Sequence, residues 1–288
     1  MHRVLLFGAS GWLGSAVAPF LAARCDLRAP SHADAEVGDA ASVAAAVTAF
    51  RPDVVVNLAA VNPHAGGSGA MERINASGAG QVAAAARAAG ARLVHMSSDA
   101  VLDGRLPPYR DDAPACPVNE YGRTKAAGER AVLAAHPEAL VIRTSLVFDP
   151  DVPDRFTRSS MERLARGEPV DLYLDEIRCP VARGTLAAVL AELVERLERE
   201  ELTGRLNVAG TQPLSRLDFG LRLLRRFGAA GLEFVRPVRS ADAGEPRPLD
   251  LTLDVSRAQS LLATPLRSVD EELSGCRDRN RGAGHATC

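Results

Sequence analysis

The sequence contains very little lysine. Lysine and arginine together number 34 among 288 residues, but Lys125 is the only lysine, and every other cation is an arginine. Acidic residues number 36, so the formal net charge is −2. A chain without a basic excess has no general electrostatic field that attracts nucleic acid or an anionic membrane surface. We therefore expect neither as a partner.

Cysteine and long apolar runs are also scarce. The five cysteines are odd in number and show no paired spacing, which excludes a disulfide framework and predicts no metal site. No apolar run approaches the roughly 18 residues that span a bilayer. The chain enters "HRVLLFGASG" at once, without the charged leader and cleavage site of an exported protein. These absences predict a cytoplasmic protein.

What the first half does contain is an alternation of strand-length apolar runs with alanine-rich helical stretches. The runs are "RVLLFG" (3–8), "DLRAP" (26–30), "DVVVNLAA" (53–60), "ARLVHMS" (91–97) and "ALVIRTS" (139–145). Continuous apolar strands separated by amphipathic helices are typical of parallel strands covered on both faces. The pattern predicts an α/β fold with a doubly wound, Rossmann-like parallel sheet.

The second half has a looser pattern. Residues 149–160 resemble a loop, "MERLARGEP", "RGTLAAVLAELVERLERE" and "SRLDFGLRLLRRFG" predict helices, and "GRLNVAG" predicts a strand returning to the sheet. We expect a dinucleotide-binding domain over 1–148 and a small C-terminal substrate-binding lobe with returning segments over 149–273. Residues 274–288 have little to bury and predict a flexible tail.

A glycine-rich turn follows the first predicted strand. In "GASGWLG", Gly8, Gly11 and Gly14 enclose Ser10, Trp12 and Leu13 at the start of the first helix. Small residues allow a diphosphate to approach the amide groups and the positive end of a helix. We expect these six residues to bind a dinucleotide; the alternative is a tight turn without a ligand.

The residues after the second strand favour NADP over NAD. An acidic residue here selects the ribose hydroxyl of NAD, and a basic residue selects the phosphate of NADP. The segment contains Arg28 and His32, and its first carboxylate is Asp34. We expect NADP, with NAD as the alternative. Asp39 either contacts the adenine or caps the following helix, and the sequence supports both interpretations.

Tyr121 and Lys125 in "EYGRTKAAGER" explain the single lysine. They are four residues apart on a predicted helix, so both project from one face. A phenol has an ordinary pKa of about 10, and a nearby ammonium lowers it into a useful range for proton transfer. A compact ammonium can also sit beside a nicotinamide ribose, where a wide guanidinium fits poorly. We expect Tyr121 and Lys125 to be catalytic.

Further candidates follow the fourth strand and precede the predicted fourth helix. Ser97 and Ser98 lie where ligands bind in open α/β sheets, at the carboxyl end of a strand. We expect Ser98 to hold the substrate oxygen as the third catalytic residue, with Ser97 as the second choice and a loop-stabilising role as the alternative. Asn75 either supports a relay to Lys125 in the cofactor site or is an ordinary helix residue.

Taken together with "NLAA", "INASGAG", "SSDAVLDG" and "RTSLVF", these motifs resemble an extended short-chain dehydrogenase/reductase, and more narrowly the dTDP-4-dehydrorhamnose reductase family. The likeness covers most of residues 3–265. It implies a catalytic triad of Ser98, Tyr121 and Lys125. It also implies a cofactor site that includes Ala59 and Ala60.

The resemblance implies hydride transfer from NADPH to the C4 carbonyl of a nucleotide-linked 4-keto-6-deoxy sugar. Arg178 is the candidate for the sugar diphosphate. Asp99 and Ala100 are expected at the substrate; the family usually has Tyr at position 100, so the particular sugar is open. Related dehydratases carry an Asp-Glu pair there, and Ala100 counts against dehydration.

Two other functions stay open. One is a nucleotide-sugar epimerase, which uses the same triad to oxidise and then reduce its sugar. The other is a non-catalytic NADP-binding regulatory subunit, because the chain also resembles the regulatory β subunit of methionine adenosyltransferase. We expect a monomer or a homodimer.

Overall fold

A computed structural model describes residues 2–62, 67–197 and 202–282, with side chains described as far as residue 275. The strands in these residues are β1 (Arg3–Phe7), β2 (Asp26–Arg28), β3 (Val54–Asn57), β4 (Arg92–Met96), β5 (Leu140–Arg143), β6 (Val147–Phe148), β7 (Val170–Tyr173), β8 (Ile177–Arg178), β9 (Val181–Ala182), β10 (Gly204–Asn207), β11 (Leu214–Ser215) and β12 (Val235–Val238). The α-helices are α1 (Gly14–Ala22), α2 (Ala40–Phe50), α3 (Ser68–Met71), α4 (Ala79–Ala88), α5 (Glu120–Ala135), α6 (Arg155–Ala165), α7 (Arg183–Arg196), α8 (Arg216–Arg226), α9 (Ser256–Leu261) and α10 (Val269–Gly282).

Six strands form one parallel sheet in the order β10-β5-β4-β3-β1-β2. Alternate residues of each central strand enter different cores, because successive side chains of a strand point to opposite faces. Val54 and Val56 pack with α1 and α7, whereas Val55 packs with α2, α4 and α5. The doubly wound Rossmann-like sheet is thereby confirmed, and "GRLNVAG" does return to pair with β5.

The second half builds smaller layers beside the sheet. β7 pairs with β12, β8 with β11, and β6 with β9. Helices α6 and α8 cover these pairs through two apolar clusters, centred on Phe219 and on Leu224. Ser215 caps α8, as the sequence predicts, by accepting the N–H of Asp218 at 2.9 Å.

The loop predicted over 149–160 is wrong in its second part. Helix α6 already begins at Arg155, because the carboxylate of Asp154 accepts the N–H of Thr157 at 2.6 Å and caps the helix. The helix predicted over 183–200 runs to Arg196, and its last residues, 198–200, lie outside the described residues.

Helix α10 extends to Gly282, into the segment predicted as a tail, and residues 283–288 lie outside the described part. The domain boundary at 148 stays a prediction. In the described ranges no helix is long and apolar enough to cross a membrane.

A π-helical segment joins α3 to α4. It covers Glu72–Gly78 and contains Asn75, which is completely buried. Such wide turns rotate the side chains that follow and often occur at functional sites. Here the segment packs directly on α5, where a Cβ on Gly128 would lie 2.1 Å from the carbonyl oxygen of Asn75.

Candidate active site

The glycine turn between β1 and α1 has the shape that a diphosphate requires. Gly8 has a φ of +83°, and a Cβ on Gly14 would lie 2.1 Å from the Gly8 carbonyl oxygen. The Gly11 N–H closes the turn on that oxygen at 3.1 Å. Within the described residues, the N–H groups of Trp12 and Leu13 have no acceptor. Free N–H groups at a helix start without acidic side chains fit a dinucleotide diphosphate.

The end of β3 packs directly against this turn. A Cβ on Gly8 would lie 2.7 Å from the backbone nitrogen of Ala59, whose N–H donates to the Asn57 side chain at 3.1 Å. Ala60 follows and is exposed. The two alanines therefore lie beside the turn, as expected of cofactor contacts, and their contact with the cofactor stays a prediction.

The expected adenosine end of the site is open. Arg28, at the end of β2, is exposed and lines a cavity of about 640 Å³ that Asp34 also lines. An exposed guanidinium at this point fits the additional phosphate of NADP. Asp39 caps α2 by accepting the Ala41 N–H at 2.9 Å, so the capping interpretation is confirmed and the adenine contact stays a prediction.

Asn75 fastens the loop after β3 to α5. Its side chain accepts the Val61 N–H at 2.8 Å, donates to the Val61 carbonyl at 2.8 Å and donates to the Thr124 hydroxyl at 3.1 Å. Thr124 immediately precedes Lys125 on α5. Asn75 therefore positions the helix that carries the catalytic candidates, and its part in a water or backbone relay to the lysine stays a prediction.

Lys125 lies almost completely inside the protein, with 2% of its surface exposed. Its ammonium donates to the carbonyl oxygen of Met96, at the end of β4, over 2.7 Å. Burial lowers the pKa of Lys125 to about 8, although Glu129, one turn further along α5, raises it. The ammonium is thus anchored at the carboxyl edge of the sheet and titrates close to neutrality.

Tyr121 differs from our expectation of a lowered pKa. Burial and then the charge of Asp99 raise the pKa of Tyr121 to about 12, while a hydrogen bond with Ser98 lowers it. The expectation of a lowered pKa is wrong for the structure, because burial and Asp99 outweigh the lowering effects, among which Lys125 has no resolved part. The phenol therefore stays protonated near neutral pH.

Ser98 connects the phenol to a buried carboxylate. Its hydroxyl donates to Asp99 at 3.2 Å and accepts the Ala100 N–H at 3.2 Å, which caps a 3₁₀ turn over Asp99–Val101. Ser145 donates to the other oxygen of Asp99 at 2.6 Å. Burial raises the pKa of Asp99, against the lowering effect of Arg178 and these hydroxyls. Ser98, Asp99 and Tyr121 thus form one hydrogen-bonded group.

The backbone of Ala100 packs against the first turn of α5, next to this group. A Cβ on Gly122 would lie 2.1 Å from the Ala100 carbonyl oxygen, so the turn after β4 contacts the first turn of α5 without a gap. That close approach holds Ser98 beside Tyr121. A direct contact between Ala100 and substrate stays a prediction.

Ser97 has a role other than substrate binding. Its hydroxyl donates to the buried carboxylate of Glu129 at 2.6 Å. Glu129 also forms ion pairs with Arg143 at 2.8 Å and Arg205 at 3.0 Å. Glu129 and Arg143 are 1% and 0% exposed. The network joins α5 to β5 and β10, and sequence analysis missed it, although Glu129 lies four residues after Lys125 on the same helical face.

The guanidinium of Arg178 also bonds to groups of the protein itself, contrary to our expectation that it pairs with a diphosphate. It forms an ion pair with Glu176 at 3.4 Å and donates to the carbonyl oxygens of Ile177, Pro248 and Leu249. Only 7% of its surface is exposed. Arg178 therefore holds the lobe together and has few free donors for a ligand.

A cavity of about 450 Å³ lies between the glycine turn and the lobe. It is lined by Trp12, Asn62, Val147, Asp154, Arg155, Phe156 and Ser159. Arg183 stacks over the Trp12 ring at 4.2 Å and pairs with Asp149 at 2.8 Å, which fixes the indole at the mouth of the lobe. Residues from both halves of the chain thus line one space.

The parallel sheet, the glycine turn after its first strand and the Ser98–Tyr121–Lys125 arrangement define an extended short-chain dehydrogenase/reductase. The model of the RmlD substrate binding domain family matches residues 1–281. The chain belongs to this family.

Curated relatives agree with this assignment. The dTDP-4-dehydrorhamnose reductase of Mycolicibacterium smegmatis is 34% identical over 281 residues, which cover 94% of this chain and 84% of the relative. The methionine adenosyltransferase 2 subunit beta of Bos taurus is 28% identical over 290 residues, which cover 90% of this chain and 82% of the relative.

A solved structure gives the same fold. The dTDP-4-dehydrorhamnose reductase of Bacillus anthracis, solved in complex with NADP, superposes with a TM-score of 0.82 at 24% identity, over 96% of this chain and 99% of that one.

Proposed function

We propose that this protein is an NADPH-dependent reductase of a nucleotide-linked 4-keto-6-deoxy sugar. The observation that carries the proposal is the hydrogen-bonded Ser98–Tyr121 group, with the Lys125 ammonium one helical turn from Tyr121. Family membership and the relatives named dTDP-4-dehydrorhamnose reductase support the substrate class.

The cofactor would bind along the glycine turn. The free N–H groups of Trp12 and Leu13 would hold its diphosphate, and Arg28 would pair with the additional phosphate. When bound, the reduced nicotinamide supplies a hydride. The Lys125 ammonium would bind a ribose hydroxyl and keep the cofactor in register with Tyr121.

The residues of the chain move and hold the proton. As the carbonyl oxygen gains charge, the Tyr121 phenol donates its proton to that oxygen, and the Ser98 hydroxyl donates a hydrogen bond to it. The raised pKa of Tyr121 keeps the phenol in its acid form at neutral pH, which is the form that reduction requires. Asp99 strengthens this by disfavouring phenolate formation before the substrate is present.

The test mixes purified protein with NADPH or NADH and a dTDP-4-keto-6-deoxy sugar and follows the absorbance of the reduced nicotinamide. We expect absorbance loss that depends on the sugar and is faster with NADPH. Absence of loss with bound NADPH would contradict the proposal. A sugar that is converted without any net loss of NADPH would identify an epimerase instead.

The similarity to the bovine methionine adenosyltransferase subunit favours a second candidate, a regulatory subunit without turnover. The retained Ser98, Tyr121 and Lys125 oppose it. A stable complex with an adenosyltransferase, together with an inactive assay, would support this second function.

A further inference from the structure

Three arginines of the lobe lie around a single buried carboxylate. Glu176, 2% exposed, accepts from both Arg178 and Arg247. The third, Arg216, is placed beside them by its backbone N–H, which donates to the Glu176 carbonyl at 2.8 Å. Burial lowers the pKa of Arg216, and the neighbouring Arg178 and Arg247 lower it further against the opposing effect of Glu176. Asp154 opposes this lowering as well, so carboxylates partly offset the charge of the arginines.

Arg216 differs from the other two arginines in having no polar partner. Arg178 donates to three carbonyls, and Arg247 pairs with Glu245 at 3.1 Å and stacks over Tyr173 at 4.3 Å. Within the described residues the Arg216 guanidinium makes no hydrogen bond and no ion pair, and it only faces the Phe156 ring at 5.4 Å. A half-buried guanidinium without a polar partner keeps its donors free for an anionic ligand.

The position of Arg216 connects it to the expected substrate space. A narrow cavity of about 60 Å³ is lined by Arg216 together with Val147, Asp154 and Phe156. The same three neighbours line the cavity of about 450 Å³ that Trp12 reaches from the glycine turn. The charge of Arg178 lowers the pKa of both Asp99 and Arg216 and so acts on the catalytic group and on this cation.

We propose that Arg216 binds the diphosphate of a nucleoside-diphosphate-linked substrate. The planar guanidinium offers paired donors that match phosphate oxygens. The proposal rests on the proposed function, since it places the anionic part of that substrate. It also replaces Arg178 as the diphosphate residue.

The test measures binding of thymidine diphosphate and of thymidine by calorimetry, without any turnover. Arg216→Gln should weaken diphosphate binding by about 10- to 100-fold, the loss expected for a hydrogen bond to a charged group, and leave thymidine and NADPH binding unchanged. Arg216→Lys should give an intermediate loss, because an ammonium keeps the charge and lacks the fork.

Arg225→Gln is the matched control, because Arg225 lies on the same helix, is exposed and has no side-chain partner in the described part of the chain. It should bind thymidine diphosphate as the unaltered protein does. Equal diphosphate affinity of Arg216→Gln and Arg225→Gln, or no diphosphate binding by the unaltered protein, would overturn the proposal.

The binding result is independent of the reductase assay. Arg216-dependent binding without NADPH oxidation would remove the proposed function and keep the site. NADPH oxidation together with diphosphate binding that does not depend on Arg216 would keep the proposed function and remove the Arg216 site. If Arg216→Gln fails to fold, Arg216→Lys decides the question, since its diphosphate affinity should still fall while its thymidine affinity does not.

Discussion

Lys125 is a buried cation and Arg216 is a half-buried one, and they differ in their hydrogen-bond partners. Lys125, in the sheet domain, already donates to the Met96 carbonyl and has the Glu129 carboxylate one turn away. Arg216, in the lobe, faces the Phe156 ring and makes no hydrogen bond within the described residues, although Glu176 and Asp154 raise its pKa. The comparison teaches that the catalytic half of the site, around Tyr121, Lys125 and Glu129, is hydrogen-bonded before any ligand binds. The proposed diphosphate half, around Arg216, keeps its donors for the ligand. We call the first the assembled half.

Removing the phenol should have the largest effect and should act on turnover alone. We expect Tyr121→Phe to lower kcat by about 100- to 10,000-fold, because the general acid is lost. NADPH affinity, measured by fluorescence titration, should not change. Tyr173→Phe removes a phenol oxygen from the lobe and should keep kcat near that of the unaltered protein. Equal losses of kcat in both variants would contradict the assignment of catalysis to Tyr121.

Removing a buried charge from the assembled half should cost stability. Glu129→Gln leaves Arg143 without its full partner in a completely buried position, and we expect the free energy of unfolding to fall by about 3–5 kcal/mol. Urea denaturation measures this. Glu168→Gln breaks an exposed pair with Arg166 and should leave the urea midpoint unchanged.

The pH dependence of kcat/KM should reflect the ionisation of Lys125 and not that of Tyr121. Lys125 has a pKa of about 8, so its ammonium is lost above that pH, whereas Tyr121, with a pKa of about 12, stays protonated. We expect kcat/KM to fall by up to about tenfold per pH unit above pH 8. A profile that stays flat to pH 10 would show that the lysine charge is not required.

The same lysine should act on stability with the opposite sign. Its folded pKa is lowered from the ordinary 10.5, so below about pH 8 both states carry the proton and burial of the charge costs stability in full. Between about 8 and 10.5 the folded state loses the proton first, and that cost is relieved. Urea midpoints across this range measure the Lys125 contribution by comparison with Lys125→Met, which should lack it.

The smallest effect belongs to the cap of the helix that carries Arg216. Ser215→Ala removes the acceptor of the Asp218 N–H and should lower stability by about 1 kcal/mol. Because Arg216 is the first residue of α8, diphosphate affinity should fall slightly while NADPH affinity does not. An equal change in both affinities would contradict the assignment of diphosphate binding to the lobe and of NADPH binding to the sheet domain.

The sheet, the glycine turn and the helix shared by Tyr121 and Lys125 were predicted because their signals are local. Residues four apart on a helix share a face, and glycines at fixed intervals after a strand make a turn, so Tyr121, Lys125 and Gly8 could be identified from spacing alone. The strands of the sheet were likewise predicted, because a continuous apolar run needs no distant partner to be recognised.

Contacts between distant residues escaped prediction. The hydroxyl of Ser97 is taken by a carboxylate 32 positions later, and the donors of Arg178 are taken by carbonyls some 70 positions later. In a chain whose cations are almost all arginine, residue type does not distinguish a structural guanidinium from a ligand-binding one. Only the partners distinguish Arg178 from Arg216.

The position of strand β10 limits where this chain can be cut or recombined with that of a relative. It belongs to the second half of the sequence, but it forms the outer strand of the sheet next to β5 and brings Arg205 to the Glu129 carboxylate. A chain cut at residue 148 would expose the edge of β5 and leave that carboxylate short of a counter-charge. Recombination that exchanges substrate specificity between relatives must therefore keep β10 with its original sheet and graft new recognition surfaces on either side of it.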